Sequence, residues 1–509
     1  MDAPSIRQAG ITVIIFTIAA KVFGLIREMI VAAHYGTSEI VDVYLAGITI
    51  PAMIGTVLIQ ALPNAFVPLF SGGRKNRRGG TRAAFSLVAI LGFVAVALWF
   101  LARPVASLTN SGFSEAARAE TVIVLRIVAA SVAFATIGAL LRSRLLAQKR
   151  FAYSGVAGLW TSIAMIGAIV LHPAGGARTL AWGYIVGLLL AAAWNLMPYI
   201  LRRGGSPRAE QPVSQSLPSS SEGYWVTAVI LLSSTGGLYA LLDRYLASFL
   251  DEGSIAALQY ANLVASQPVA ICGIAIGTAV FPYLVKKVME SDSDAVGKII
   301  DRAIRWVLVG SVPVAVWIGV LGDEIVSILF ERGAFDVSSR LATGALLMPY
   351  AFWLVPAVLT SVLMRVYYAM FRWRPILAAV LVGLLVKAVL SFWWVKGLGA
   401  LGLAAATAAA AGSTTLVLLF ALPREFMQRN WFHWGQLSIT LAGLSLAGAI
   451  MGFYLPDILS ISQWEGRAVL RVVTGTALSL GLILLLGPRL HVDEVIRMRE
   501  WILGRLLRH

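Results

Sequence analysis

Charge is scarce in this chain: only 13% of its 509 residues are Asp, Glu, Lys or Arg, about half the share of a soluble domain. So few charges cannot cover a water-facing surface, and 59% apolar content leaves no room for disorder. A soluble enzyme is excluded. Cysteine is nearly absent, and the single thiol, Cys272, excludes both an intrachain disulfide and a cysteine metal cage. Histidines 34, 172, 433, 491 and 509 lack ligand spacing, so no metal site is expected. The stretch GGRKNRRGG combines glycine with lysine but lacks the G-x-x-x-x-G-K-[ST] order that cradles phosphates. No Ser, His and Asp set and no acidic pair in a loop offers a place for catalysis. Neither an enzymatic activity nor a cofactor is expected.

Apolar runs are what the chain has. Its mean hydropathy is +0.81, and its apolar residues suffice for a dozen or more runs of the roughly 20 residues that cross a bilayer. The sequence predicts an all-α polytopic membrane protein with about 14 transmembrane helices. They fall near 10–33, 41–71, 83–107, 119–141, 154–172, 179–201, 224–250, 255–285, 299–321, 339–370, 375–395, 398–421, 434–455 and 466–487. The first run is broken by Lys21 and followed by more charge, so it reads as a retained span, not a cleaved signal.

The net charge of +16 would suggest nucleic acid in a soluble protein. Here the basic residues collect in alternate loops, which is how cytoplasmic loops of membrane proteins are marked, and no nucleic-acid partner is expected. One loop set holds Arg74 to Arg82, Arg142 to Arg150, Arg202 to Arg208, Lys286 to Lys298, Arg372 to Arg374 and Arg424 to Arg429. In the other set, 34–42 and 251–254 carry no Lys or Arg at all. With an even number of spans, both termini fall in the cytoplasm.

A polar, Ser-, Pro- and Gly-rich stretch, 202–223, reads as a cytoplasmic linker between two halves. NAFVPLF (64–70) is answered by TAVFPYL (278–284), with Pro68 and Pro282 at matching span ends, and VASLTNSGF (105–113) by IVSILFERGAF (325–335). The expected organisation is therefore an N-lobe over 1–201, the linker, and a C-lobe over 224–421. Two six-helix lobes in a parallel repeat would be followed by two appended helices within 422–487 and a tail over 488–509. In that tail Val492, Val495, Ile496, Ile502, Leu503 and Leu506 recur at helical spacing. This suits either an amphipathic helix on the inner leaflet or a solvated tail.

The informative residues are charges inside apolar spans, which are costly there and serve function by default. Lys21, Arg27 and Glu28 interrupt the first span. Positions 21 and 28 share a helix face, so Lys21 either lines a cationic site or pairs with Glu28 while Arg27 reaches the interface. Asp42 opens the second span, either neutralising Lys21 or Arg27 or sitting among headgroups. Asp243 and Arg244 lie deep in the seventh span, and as helix neighbours they need separate partners. Asn262 and Gln267 on the eighth span, Gln60 and Asn64 on the second, and Arg126 on the fourth add polar lining.

KVFGLIREMIVAAHYGTSEIVDVYLAGITIP (21–51), NAFVPLF, LLDRYLASFLDEGSIAALQYAN (241–262), GIAIGTAVFP (273–282) and ILFERGAFD (328–336) together resemble the MviN/MurJ family. Its members are lipid II flippases of peptidoglycan synthesis, within the multidrug, oligosaccharidyl-lipid and polysaccharide exporter superfamily. The resemblance implies a bacterial cytoplasmic-membrane flippase for a polyprenyl-pyrophosphate-linked saccharide, working by alternating access as a monomer among membrane lipids. It also implies that the lipid tail stays against the appended helices. By position, Arg27 matches a cavity arginine of the family and Asp42 its acidic partner; Lys21 stands where the family usually has arginine. Two departures thin the cationic cavity: PAMIGTVLIQ follows at Pro51 where basic residues are common, and Leu263 stands where arginine is typical. The expected substrate-binding set is Lys21, Arg27, Glu28, Asp42, Asp243, Arg244 and Asn262. Alternative substrates are a lipid-linked exopolysaccharide or O-antigen unit, or a drug exported against a cation. Coupling to membrane potential or to a monovalent ion stays open. If two lobes rock, the outer ends near Thr37 and Gly253 must meet in one state and part in the other.

Overall fold

A computed structural model describes residues 6–71, 74–148, 151–200, 222–370, 372–423, 426, 431–458, 466–487, 494–496 and 500. Among these there is no strand. By internal contacts the chain divides into two compact units, Met1–Ala256 with Arg332–Phe335, and Ala257–Glu331 with Asp336–His509.

The first unit contains α1 (Ile6–Tyr35), α2 (Glu39–Ser71), α3 (Arg74–Phe100), α4 (Ala102–Thr109), α5 (Glu115–Ala129), α6 (Ser131–Ala147), α7 (Phe151–Leu171), α8 (Gly176–Ile200) and α9 (Glu222–Ala247). Helix α2 is central, packing on α5, α6 and α9, while α1 leans on α7 and α7 on α8. The repeat in sequence assigns α9 to the second half; by contacts it groups with the first unit, alongside α2. Four buried hydroxyls are satisfied within their own helix: Thr49, Thr121, Thr136 and Ser143 each donate to the carbonyl four residues back. That is the economical solution where no water is present.

Helix α10 (Ser254–Met289) begins in the first unit and continues into the second. There follow α11 (Ser293–Val320), α12 (Gly322–Phe330), α13 (Val337–Ala369), α14 (Trp373–Phe420), α15 (Trp431–Ile458) and α16 (Arg467–Leu486). Helix α13 packs on α11 and α14, α15 on α11, and α16 on α12 and α15. The appended pair is thus docked along the second unit, with Arg471 on α16 bridging Glu324 (3.1 Å) and Asp457 (2.7 Å).

Ten of the described helical stretches are by themselves long and apolar enough to cross a membrane. One of them, α14, is 48 residues long and doubles back at Gly399, whose φ of 55° favours glycine. Thr414 beyond the bend donates to the Ala379 carbonyl before it (3.4 Å), so α14 is a hairpin of two spans. With α14 counted twice and the apolar α1, α7 and α9 added, the expected number of about fourteen is met. The short motifs at 105–113 and 325–335 also correspond in structure. Each overlaps a short helix, α4 or α12, that follows the third span of its half. The segment Gly322–Arg340, expected to be a loop, therefore holds a helix. Likewise the span expected over 83–107 ends at Phe100 and passes into α4. Hydropathy alone cannot separate a short apolar helix from the end of a span.

Of the tail over 488–509 only 494–496 and 500 are described. Glu494 and Val495 are buried, and Glu494 faces Arg305 of α11 at 3.6 Å. Ile496 beside them is half-buried; Val492, Ile502, Leu503 and Leu506 of its apolar pattern lie outside the described residues, as does the linker up to residue 221.

At the start of α13 the Asp336 carboxylate accepts from Ser339 N–H and Ser338 Oγ (both 2.8 Å), which pulls its pKa down to about 2. A depressed carboxylate stabilises the fold above its ordinary pKa, and the contribution fades as pH falls through the folded value. Asp336→Ala should therefore lower the thermal midpoint equally at about pH 7 and pH 6, and by less at about pH 3. Thermal scans of the purified protein check this.

Candidate functional site

Intramembrane charges gather in the first unit. On α1 the Arg27 guanidinium bonds the Glu28 carboxylate, both half-buried. Lys21 is half-buried one turn and more away, and among the described residues it has no ion-pair or hydrogen-bond partner. The shared face of positions 21 and 28 thus does not produce a Lys21–Glu28 pair. Arginine is long enough to reach its sequence neighbour, and once Glu28 is taken the lysine charge stays available.

Three further helices complete this region. Tyr44 of α2 and Tyr184 of α8 lie within electrostatic reach of Arg27, and Tyr44 also of Arg244 on α9. Arg244 donates to Thr49 Oγ1 of α2. Thr49 spends its own hydrogen on the Leu45 carbonyl (2.7 Å), which leaves its oxygen free to accept. Asp243, half-buried, stands within electrostatic reach of Arg244. The structure therefore brings Lys21, Arg27, Glu28, Asp243 and Arg244 into one unit with Tyr44, Thr49 and Tyr184. Those last three carry no charge and were not distinguishable in the sequence from ordinary span residues.

Asp42 does something different. It is 3% exposed, and its two carboxylate oxygens accept from the backbone N–H groups of Gly253 and Ala256, each at 2.7 Å. These are unpaired amides at the start of α10, where a helix favours a negative charge. Asp42 is thus a tie between the start of α2 and the start of α10. Among the described residues it is not bonded to Lys21 or Arg27. Around it the turns of this charge-poor end interlock. Ala334 N–H donates to the Ala33 carbonyl (2.8 Å), and Gly112 N–H to Ser248 Oγ (3.2 Å). Gly253 has φ +83°, and a Cβ there would stand 2.2 Å from the Thr37 carbonyl oxygen. Asp42→Ala would leave two buried amides without an acceptor, a loss of about 2 kcal/mol. It should show as a lower thermal midpoint, and Asp42→Asn, which keeps one acceptor oxygen, should lose less.

Asn262 lies half-buried on the part of α10 that belongs to the second unit. Gln267 Nε2 donates to the Leu263 carbonyl (3.3 Å), a bond within its own helix. The Arg126 guanidinium sits over the Trp99 ring, 5.1 Å from its centroid, a packing role. The side chains of Gln60 and Asn64 fall outside the described residues. One charge that the sequence reading passed over is Lys387, wholly buried in the first arm of α14, with Nζ donating to the Leu403 carbonyl (2.9 Å) and Thr407 Oγ1 (2.7 Å). A lysine within LVGLLVKAVLSF is the signal that would have found it.

In chemical terms, the first unit holds a polar patch among apolar spans, with hydroxyl groups and a lysine that no acid among the described residues takes. Such a patch fits an anionic group, which Lys binds as a point charge and Arg through its fork. Among the described residues no cluster of His, Cys, Asp and Glu is arranged to hold a metal.

Comparison with known proteins identifies the family and the fold. The family model described as lipid II flippase MurJ matches residues 31–474. A probable lipid II flippase MurJ of Rhizobium tropici is 26% identical over 504 residues, covering 92% of this chain and 90% of the relative. The lipid II flippase MurJ of Burkholderia cenocepacia is 24% identical, covering 86% and 88%. Among solved structures, a lipid II flippase MurJ in an inward closed conformation superposes with a TM-score of 0.76 at 20% identity, over 93% of this chain and 98% of that one. An inward-facing multidrug resistance MATE family transporter of the MOP superfamily gives 0.62 at 13% identity, over 83% and 96%. At those identities the two structures support the fold.

Proposed function

This chain belongs to the MurJ family of lipid II flippases, and from that premise we propose that it carries lipid II across the cytoplasmic membrane by alternating access. The observation that carries the reading is the half-buried Lys21 beside the Arg27–Glu28 pair in an otherwise apolar span. A pyrophosphate is the part of the lipid-linked substrate that such a site suits. The tie of Asp42 to the start of α10 and the interlocked turns around it hold the charge-poor end shut. Opening that end breaks these bonds, which is how the site exchanges sides. The protein works as a monomer, without a nucleic-acid partner, and the polyprenyl tail stays in the bilayer beside α15 and α16.

Mild extraction of the protein and mass analysis of the lipids that come with it tests the reading. A lipid II mass is expected; only an exopolysaccharide or O-antigen precursor would overturn it in favour of that substrate. Lysine at 21 and leucine at 263 favour that second reading, because each weakens bidentate recognition of phosphate.

Lysine and arginine asymmetry places both termini in the cytoplasm. Single cysteines at Ser38 and Ser254, in a Cys272→Ala background, should then react with an impermeant thiol reagent added outside, whereas one at Gly79 should not. The reverse labelling would invert the topology.

A further inference from the structure

The first unit has a groove of about 750 Å³ that the translocation site does not use. It lies where α2, α5 and α8 begin, at the charge-poor end, and is lined by Glu39, Glu120, His172, Arg178 and Trp182 with the glycines at 175 and 176. Its size falls in the range of small-molecule sites.

The lining has a definite chemistry. Arg178 donates from Nε and Nη2 to the two oxygens of Glu120, both at 2.7 Å, which fixes the Glu120 carboxylate with further lone pairs to offer. Among the described residues Glu39 is held by one long bond, from Ser114 Oγ at 3.5 Å. Two carboxylates against one guanidinium make the groove a poor host for phosphate and a good acceptor of hydroxyl and amide hydrogens. Trp182 is 56% exposed, an indole face against which the C–H side of a sugar ring packs. Two carboxylates, one of them fixed, and an exposed indole together are a saccharide-binding set.

We propose that this groove is an exit-side site for a saccharide head group, distinct from the Lys21 and Arg27 region that takes the phosphates. The assignment of saccharide and of exit side rests on the flippase reading above. Such a site gives the head group a resting place once it has crossed, so that release of the phosphates does not return it to the inner side.

The test is calorimetric titration of the purified full-length protein in nanodiscs with the water-soluble head group released from lipid II. Binding is expected, weakened at least about tenfold in Trp182→Ala and in Glu39→Gln and unchanged in Lys21→Ala. Both substituted side chains reach the surface of the groove, and thermal midpoints confirm that the variants are folded. No binding, equal binding in wild type and both variants, or binding lost in Lys21→Ala would each overturn the proposal. Displacement of the head group by intact lipid II identifies the lipid-linked molecule as occupant, and binding without displacement identifies a free saccharide; either supports the site. Lipid II flipping by the same preparation is measured alongside. Flipping without head-group binding removes this inference alone, whereas head-group binding without flipping removes the flippase reading and leaves the site.

Discussion

Replacing Lys21 and Arg27 together by alanine is expected to bring lipid II flipping to background while the protein still reaches the membrane. In the proposed reading each side chain would supply a charge-assisted bond to phosphate, worth about 1.5–3 kcal/mol, so each single substitution should cost about ten- to a hundredfold in rate. The two losses differ in kind. Arg27 also holds Glu28, so Arg27→Ala leaves a half-buried carboxylate unpaired near the substrate phosphates and adds repulsion to the missing attraction. Among the described residues Lys21 has no such partner, and Lys21→Arg should keep or raise activity by restoring the bidentate fork. Flipping by reconstituted vesicles, with membrane levels followed in parallel, checks the series. Full activity in the double variant would leave the cavity without its anion site.

A disulfide across the charge-poor end should stop transport reversibly. The sequence points to Thr37 and Gly253 for the two cysteines, and those turns do meet. The glycine cannot be used, however, because its φ is +83° and its Cβ would stand 2.2 Å from the Thr37 carbonyl oxygen. Ala33 and Ala334 serve better. Ala334 N–H donates to the Ala33 carbonyl at 2.8 Å, which brings the two backbones within the span that a disulfide bridges. With Ala33→Cys, Ala334→Cys and Cys272→Ala, oxidation should trap the closed end and abolish flipping, and a reductant should restore it. A crosslink that forms fully yet leaves flipping intact would show that this end never opens, and alternating access would lose its support.

The sequence was a good guide to the span count, the repeat and the charges, and a poor one to their pairing. Lys21 and Glu28 share a helical face, yet Glu28 bonds Arg27. Periodicity reports which residues point the same way and says nothing of which long side chain arrives first. Adjacent helix positions diverge, so Asp243 and Arg244 are expected to need separate partners, but nothing in the sequence points to Thr49, 195 residues away, as the acceptor for Arg244. Threonines recur in apolar spans, and a hydroxyl gives no sign of where its lone pairs point.

Composition and patterning by themselves determined the solvent. Scarce charge and long apolar runs admit only a bilayer, and a bilayer admits only helices or closed barrels. The Pro-marked repeat and the basic loops then follow along the chain. Only the tertiary structure decided what the intramembrane polar groups do. It turned Asp42 from a counter-ion into a tie on the backbone of α10, set Tyr44 and Tyr184 near Arg27, and placed α9 against α2. The physical reason is that burial in lipid depends on each residue's own hydropathy, which is additive and local. Satisfying a buried charge depends on a partner of the right geometry, and that partner is a backbone amide or hydroxyl on another helix, to which the sequence assigns no mark.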